Sequence, residues 1–178
     1  PSSFFFDVLS IIPKEDLNAY GRITPAIIPT IKGNTIGSTT TANSIIASSA
    51  STSNAQYVYG IYSNSTTSAI IQNNIIANLT NGTTNTSTAI AGLINGIFCF
   101  SGTNTITNNI IRDLTISNAN NSSTHTASVS GIAFNSNAYI NTIVGNKIYN
   151  LSNTNPNFTG NIFGIYFTGA TFSINQIT

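Results

Sequence analysis

The hexapeptide ITNNII, residues 106–111, belongs to a set of five related phrases that decide the fold of this 178-residue chain. Each copy has an apolar residue first, Asn fourth and Ile sixth. The copies are IKGNTI (31–36), IQNNII (71–76), ITNNII (106–111), IVGNKI (143–148) and FSINQI (172–177). They begin 40, 35, 37 and 29 residues apart, a period typical of a solenoid, in which stacked units bury one shared core.

Two shorter phrases repeat with the same period. Gly-Ile occurs at 60–61, 96–97, 131–132 and 164–165, and a polar-Leu-hydroxyl phrase occurs at 78–80, 113–115 and 150–152. These segments are rich in Ile, Val, Thr, Tyr and Phe, which favour strands over helices. We therefore predict an all-β fold: a right-handed parallel β-helix of about four to five coils, each with three short strands and a long polar loop.

Stacking the repeats places like residues in columns. The fourth residue of the hexapeptide predicts an asparagine ladder at a turn, because each amide can donate to one neighbouring coil and accept from the other. Its members are Asn34, Asn74, Asn109, Asn146 and Asn175. A second column of this kind is predicted for Asn78, Asp113 and Asn150. Strict alternation fails around each repeated Gly, which predicts a bulge or bend there.

The first thirty residues differ from the rest. They hold four of the five prolines and three of the four acidic residues. We expect residues 1–30 to form a cap or a junction with a preceding domain, although an irregular linker fits equally well, and residues 31–178 to form the β-helix repeats. The chain has no initiator Met and stops just after the fifth hexapeptide, so we expect it to be a segment of a longer or processed protein.

Composition narrows the function. Only 5 % of residues are charged, against about a quarter in ordinary domains, and the formal net charge is +1. Nucleic-acid binding is not expected, because few cations are present to neutralise phosphates. No segment is long and apolar enough for a transmembrane helix. Cys99 is the only cysteine, so no disulfide can form within the chain, and we expect it to be a small core residue.

A resemblance to a known class adds to these observations. The strings SGTNTITNNIIRDLTIS (101–117) and NTIVGNKIYNLSNTN (141–155) resemble the long right-handed β-helix repeats of secreted and surface-displayed proteins of Bacteroidetes-type bacteria. The resemblance covers about residues 31–178. It implies export to the cell surface or the medium, but it indicates no single function, because this fold also carries adhesins, lyases, glycosidases and inert stalks.

The chain offers little for catalysis. Asp113 is the only carboxylate in the repeat region, so neither a calcium cluster nor a pair of catalytic carboxylates can form there. Because neighbouring strand residues face opposite sides, we expect Asp113 to lie in the asparagine column and Arg112 to point into solvent. His125 has no second ligand nearby and is expected to be an exposed loop residue. We therefore predict no catalytic residue, no metal and no cofactor.

One column is a candidate ligand site. Tyr62, Phe98 and Tyr166 stand two places after the repeated Gly, with Ala133 as a gap. If Ile61 and its equivalents face inward, these rings face outward, where they could bind sugar rings or a protein partner. The alternative is that a long loop covers them as a second small core.

An ice-binding surface is a minor alternative. Thr80, Thr115 and Ser152 align, as do Thr105 and Thr142, but no Thr-x-Thr pair occurs in every repeat.

The sequence thus favours a non-catalytic extracellular β-helix that serves as a stalk, a surface-fibre subunit or part of an adhesin. Its expected partners are further repeats of the same chain or like subunits stacked end to end. The competing hypothesis is a carbohydrate-binding module that uses the aromatic column to hold surface glycans.

Overall fold

The computed structural model describes residues 28–89, 92–135 and 140–168, together with the backbone of residues 176–177. Within these residues every regular element is a β-strand. The strands are β1 (Thr30–Lys32), β2 (Thr35–Ile36), β3 (Ile45–Ser49), β4 (Gln56–Ser63), β5 (Ser68–Gln72), β6 (Ile75–Thr83), β7 (Gly92–Cys99), β8 (Thr103–Thr107), β9 (Ile110–Ile116), β10 (Val129–Phe134), β11 (Thr142–Val144), β12 (Lys147–Asn153), β13 (Ile162–Tyr166) and β14 (Gln176–Ile177).

The strands form three parallel sheets. Sheet 1 has the order β1-β5-β8-β11-β14, sheet 2 has the order β2-β6-β9-β12 with β3 also paired to β6, and sheet 3 has the order β4-β7-β10-β13. Every pairing between strands is parallel. The chain visits the sheets in turn, so one coil consists of one strand from each sheet. The predicted all-β parallel solenoid is confirmed.

The number of coils differs from a count of hexapeptides. Three coils are complete, namely β4–β6, β7–β9 and β10–β12, and partial coils lie at both ends. The five hexapeptides had suggested four to five coils. Each hexapeptide supplies strands to sheets 1 and 2 only, so it does not guarantee a strand in sheet 3.

The hexapeptide forms a corner between sheets 1 and 2. Its third residue is in the left-handed region in the four described copies, with φ of 70°, 56°, 55° and 66° at Gly33, Asn73, Asn108 and Gly145. Gly and Asn are the residues that adopt this conformation most readily, which explains why they occupy the third position in these four copies.

The core consists of the inward columns. Ile76, Ile111 and Leu114 are fully or almost fully buried, and Cys99 is 1 % exposed among them. Burial raises the pKa of the Cys99 thiol well above its ordinary value, so this residue is packed as a small apolar side chain.

The repeated Gly bends each strand of sheet 3. The register between β10 and β13 passes from the pair Ser130 and Phe163 directly to the pair Ile132 and Ile165, leaving out the glycines. Val129 and Ile132 both belong to the core although they are three residues apart. The predicted break in alternation is therefore present, and it sends residues such as Phe98 to the outer face of sheet 3.

Two predictions lie outside the described residues. The proposed cap at residues 1–30 is described only from residue 28, and β1 begins at Thr30. Asn175, the fifth predicted member of the ladder, is likewise not described. Among the residues that are described, no helix has the length and apolar character needed to cross a membrane.

Candidate functional site

The asparagine ladder runs through four successive coils. Asn34 Nδ2 donates to Asn74 Oδ1 at 3.0 Å, Asn74 Nδ2 donates to Asn109 Oδ1 at 2.9 Å, and Asn109 Nδ2 donates to Asn146 Oδ1 at 2.9 Å. Backbone amides join the same acceptors, since Asn74 N donates to Asn109 Oδ1 at 3.0 Å. The stacking predicted for these residues is present in the described part of the chain.

Each inner amide in the ladder uses all of its hydrogen-bonding capacity. Asn109 Nδ2 also donates to the carbonyl oxygen of Ile71 at 3.0 Å, and Asn109 Oδ1 accepts from both nitrogen atoms of Asn74. Asn74 and Asn109 are fully buried. A buried amide is stable only when its partners are present, so the ladder fixes the vertical register of the coils.

The second polar column is set by the backbone more than by amide stacking. Asn78, Asp113 and Asn150 have φ of 59°, 54° and 54°, which places all three in the left-handed region. Asn150 Nδ2 donates to Asp113 Oδ1 at 3.0 Å, whereas Asn78 Nδ2 donates to the carbonyl oxygen of Ser38 at 2.8 Å. Asn and Asp suit this column because they tolerate the left-handed conformation.

Arg112 does not simply point into solvent. It forms an ion pair with the neighbouring Asp113, and its other terminal nitrogen donates to the carbonyl oxygen of Thr39. The expectation that the two side chains diverge was wrong, because the left-handed φ of Asp113 interrupts the alternation of the strand. Arg112 thereby attaches the loop of residues 37–44, which lies two coils away, to the outer surface.

An aromatic face covers the outside of sheet 3. We define it as Tyr59, Tyr62, Phe98, His125, Phe163 and Tyr166. Tyr62 stacks on Phe98 with ring centroids 5.6 Å apart and planes 23° apart, and Tyr59 lies 5.2 Å from Tyr62 and 5.1 Å from Phe98. At the other end Phe163 lies 5.1 Å from Tyr166. The predicted aromatic residues do lie on the outer face, together with two further rings of their own strands.

His125 occupies the gap in this face. Ala133 pairs in register with both Phe98 and Tyr166, so no ring of sheet 3 separates them. The imidazole of His125 lies 6.1 Å from the Phe98 ring and 6.4 Å from the Tyr166 ring. The expectation of an exposed loop histidine was wrong: the loop between β9 and β10 folds back over sheet 3, and His125 is partly buried.

This loop decides how much of the aromatic face meets solvent. Phe98 is only 5 % exposed, whereas Tyr62, Tyr166 and Tyr59 are partly exposed. Burial, and to a lesser degree the neighbouring tyrosines, raises the pKa of Tyr59. Burial lowers the pKa of His125 below its ordinary value, which favours the neutral form of its ring. The loop thus covers the middle of the aromatic face, whereas Tyr62 and Tyr166 at its two ends stay partly exposed.

Two buried polar side chains lie on the same outer surface of sheet 3. Asn95 and Ser130 pair in register and are both fully buried. Among the described residues, Asn95 Oδ1, Asn95 Nδ2 and Ser130 Oγ have no hydrogen-bond partner. Buried polar groups are nearly always paired, so this position lowers stability compared with an apolar pair.

Sequence reasoning missed further polar columns. Asn104 N and Nδ2 both donate to Asn141 Oδ1, at 2.9 and 3.1 Å, which repeats the ladder arrangement at the start of sheet 1. In the loop after β9, Asn118 Oδ1 accepts from the backbone of Asn120 at 2.7 Å. The signal for these turns was the Asn-x-Asn spacing, as in 118–120 and 153–155, where each side chain bonds the backbone two residues ahead.

Threonine residues align in only short rows across neighbouring strands. Thr115 pairs in register with Thr80 and Ser152, and Thr105 pairs with Thr142, as expected. On the outer face of sheet 1, however, Thr105 pairs in register with Ile70 of the preceding coil. A continuous threonine surface is therefore not formed there.

Among the described residues, no group of three or more His, Cys, Asp or Glu side chains is placed to hold a metal ion. Comparisons with protein-family models, with curated proteins and with solved structures found no match to this chain. No relative therefore assigns a role to the asparagine ladder or to the aromatic face.

Proposed function

We propose that this chain is a segment of an extracellular structural β-solenoid, acting as a stalk, a surface-fibre subunit or a part of an adhesin. The observation that carries this proposal is the asparagine ladder, in which hydrogen bonds run without a break from Asn34 to Asn146. The ladder lies within a solenoid of three parallel sheets. Backbone hydrogen bonds in all three sheets and side-chain amide hydrogen bonds in the ladder hold neighbouring coils together. We expect the result to be a stiff rod. The resemblance of residues 31–178 to secreted bacterial β-helix repeats supports the extracellular location.

The end of the solenoid formed by β12 and β13 supports docking of further coils. Ile162 is 40 % exposed there, whereas Val129, its register partner in the preceding coil, is fully buried. Ile148 and Leu151 are also only partly buried, unlike Ile111 and Leu114 one coil earlier. Apolar columns that end in solvent favour another coil of the same kind, from this chain or from a like subunit.

Analytical ultracentrifugation of the full chain over a wide concentration range tests this docking. Self-association is expected for the wild type, and Ile162→Lys should weaken it at least tenfold, because the charge lies on the end of an apolar column. Phe100→Lys is the matched control, since Phe100 is 43 % exposed on the side of an inner coil. A wild-type chain that stays monomeric throughout would contradict docking, and reproducible cleavage of a polysaccharide from a broad panel would contradict a non-catalytic role.

A second candidate function is carbohydrate binding by the aromatic face. Tyr62 and Tyr166 are partly exposed at its two ends, and flat aromatic rings of this kind suit the apolar faces of sugars. The combined substitution Tyr62→Ala and Tyr166→Ala should remove retention on a glycan array while leaving the fold intact. Tyr149→Ala is the control, because Tyr149 is 46 % exposed on sheet 2. Equal glycan binding by both variants would remove this candidate.

A further inference from the structure

The loop that covers the aromatic face is attached to sheet 3 at both of its ends. At one end Asn120 Nδ2 donates to the carbonyl oxygen of Gly92 at 2.9 Å. At the other end the carbonyl oxygen of Ser128 accepts from the backbone amide of Ile94 at 2.9 Å. Gly92 and Ile94 both belong to β7, so one strand holds both ends of the loop. We call residues 122–126, which lie between these attachments, the flap.

The hydrogen bonds of the flap are local. Within the described residues, each of them joins the flap to itself or to other residues of the segment 120–127. The flap meets sheet 3 through the ring of His125, whose centroid lies 6.1 Å from that of Phe98 and 6.4 Å from that of Tyr166. The flap can therefore swing away as a unit when these ring contacts break, because no described hydrogen bond joins it to a strand.

The imidazole occupies a position that an outside ring could take. Phe98 and Tyr166 lie two coils apart, about 10 Å by the spacing of parallel strands. Ala133, which pairs in register with both, places only a methyl group between them. Phe98 is 5 % exposed, although Tyr62 in the same column is partly exposed. Movement of the flap away from sheet 3 would therefore expose Phe98 and connect Tyr62 with Tyr166 in one aromatic surface.

The surroundings of His125 disfavour a charge on its ring. Its own loop, residues 117–128, contains no Asp, Glu, Lys or Arg, and neither do the four strands of sheet 3 or the loops of the neighbouring coils, residues 84–91 and 154–161. The titratable side chains of sheet 3 are Cys99 and tyrosines, and none of these gains a charge in acid. Burial accordingly lowers the pKa of His125. An imidazolium is therefore better stabilised by water, with the flap open.

We propose that residues 122–126 form a flap that His125 holds shut over the middle of the aromatic face, and that protonation of His125 opens it to a sugar ring. The proposal rests on the carbohydrate-binding candidate for the chemistry of the ligand. In the closed state the imidazole lies over Ala133 and blocks the site. As the pH falls below about 6.5, the ordinary pKa of histidine, the open state gains up to about tenfold in population per pH unit relative to the closed state.

Hydroxyl-radical footprinting, read residue by residue by tandem mass spectrometry, measures this opening without any ligand. Phe98 reports on the flap. Phe100 is the internal standard because it is 43 % exposed, and Phe134, which is 1 % exposed in the core, reports on the fold. In the wild type the oxidation of Phe98 relative to Phe100 should rise at least threefold from about pH 7.5 to about pH 5.5, while Phe134 stays unmodified.

Two substitutions of His125 separate its charge from its packing. His125→Phe keeps a ring that cannot be protonated, so Phe98 should stay protected at both pH values. His125→Ala removes the ring, so Phe98 should be oxidised equally at both. A wild-type ratio that does not rise in acid would overturn the proposal, because the two rings would then hold the imidazolium in place. An equal rise in His125→Phe, or oxidation of Phe134 together with Phe98, would overturn it as well.

Titration with cellohexaose, a linear neutral glycan, connects the flap with the carbohydrate candidate. The wild type should bind at least threefold more tightly at about pH 5.5 than at about pH 7.5, whereas His125→Ala should bind equally tightly at both. Equal wild-type affinity at both pH values would overturn the gating role of the flap. Absence of binding by His125→Ala at both pH values would count against the carbohydrate candidate, and the footprint of Phe98 distinguishes that result from failure of the flap.

Discussion

Gly60 is a glycine because Ile76 occupies the place where its side chain would be. A Cβ built on Gly60 would lie 2.6 Å from Ile76 Cγ2 and 2.6 Å from the carbonyl oxygen of Gly96. The same relationship joins Gly96 to Ile111 and Gly131 to Ile148 in the next two coils. In the three complete coils, the Gly of the Gly-Ile phrase and the sixth residue of the hexapeptide thus form one contact across the coil.

This contact predicts the effect of adding one methyl group. Gly60→Ala should lower the free energy of unfolding by about 1–3 kcal/mol, because the new Cβ must displace a packed side chain and a backbone oxygen. Gly164→Ala is the matched control, since a Cβ there meets no described atom within 4 Å. Urea denaturation of both variants checks the difference. Equal midpoints for the two would contradict the packing argument.

Residue pattern alone predicted most of the fold. The spacing of Ile76, Ile111 and Ile148 gave the coil repeat, and the fourth-position Asn gave the ladder, because a repeat places like residues in like environments. The Gly60 and Ile76 contact was not predicted, since the two phrases are 16 residues apart and face one another only after the chain has turned two corners.

The errors have two causes: strand alternation fails at one site, and the repeat does not determine the path of a loop at the other. Arg112 and Asp113 converge because of a positive φ that no alternation rule includes. His125 lies in a loop that has no equivalent of the same length in the other coils, so its path over Ala133 could not be read from the repeat. The vacancy at Ala133 in the aromatic column was the available clue.

Two asparagines of similar burial should respond in opposite ways to the same substitution. Asn109→Leu removes the acceptor of two nitrogen atoms of Asn74 and a donor to Ile71, so it should cost about 2–4 kcal/mol. Asn95→Leu removes a buried amide that has no hydrogen-bond partner in the described part of the chain, so stability should stay unchanged or rise by about 1 kcal/mol. Chemical denaturation measures both. A large loss for Asn95→Leu would show that its amide is paired in solution.

Asp113 should tolerate Asn far better than Val. Its φ of 54° suits Asn, which occupies the equivalent positions 78 and 150, whereas a β-branched residue is strained there. Asp113→Asn should change the free energy of unfolding by less than about 1 kcal/mol, since the ion pair with Arg112 is partly exposed. Asp113→Val should cost about 1–3 kcal/mol. Thermal unfolding of the two variants decides, and equal losses would mean that the ion pair rather than the backbone sets the choice.

Stability should fall as the pH is lowered from about 7 to about 5, and His125 should be the cause. Burial lowers the pKa of His125 in the folded chain, while in the unfolded chain it titrates near 6.5. Below that pH the unfolded state binds more protons than the folded state, so unfolding becomes easier. Above pH 7 both states are neutral and the effect vanishes. His125 is the only histidine of the chain, so His125→Gln should give urea midpoints that no longer change over this range. A pH dependence that survives in the variant would show that another group is responsible and that the imidazole is not held neutral against Phe98 and Tyr166.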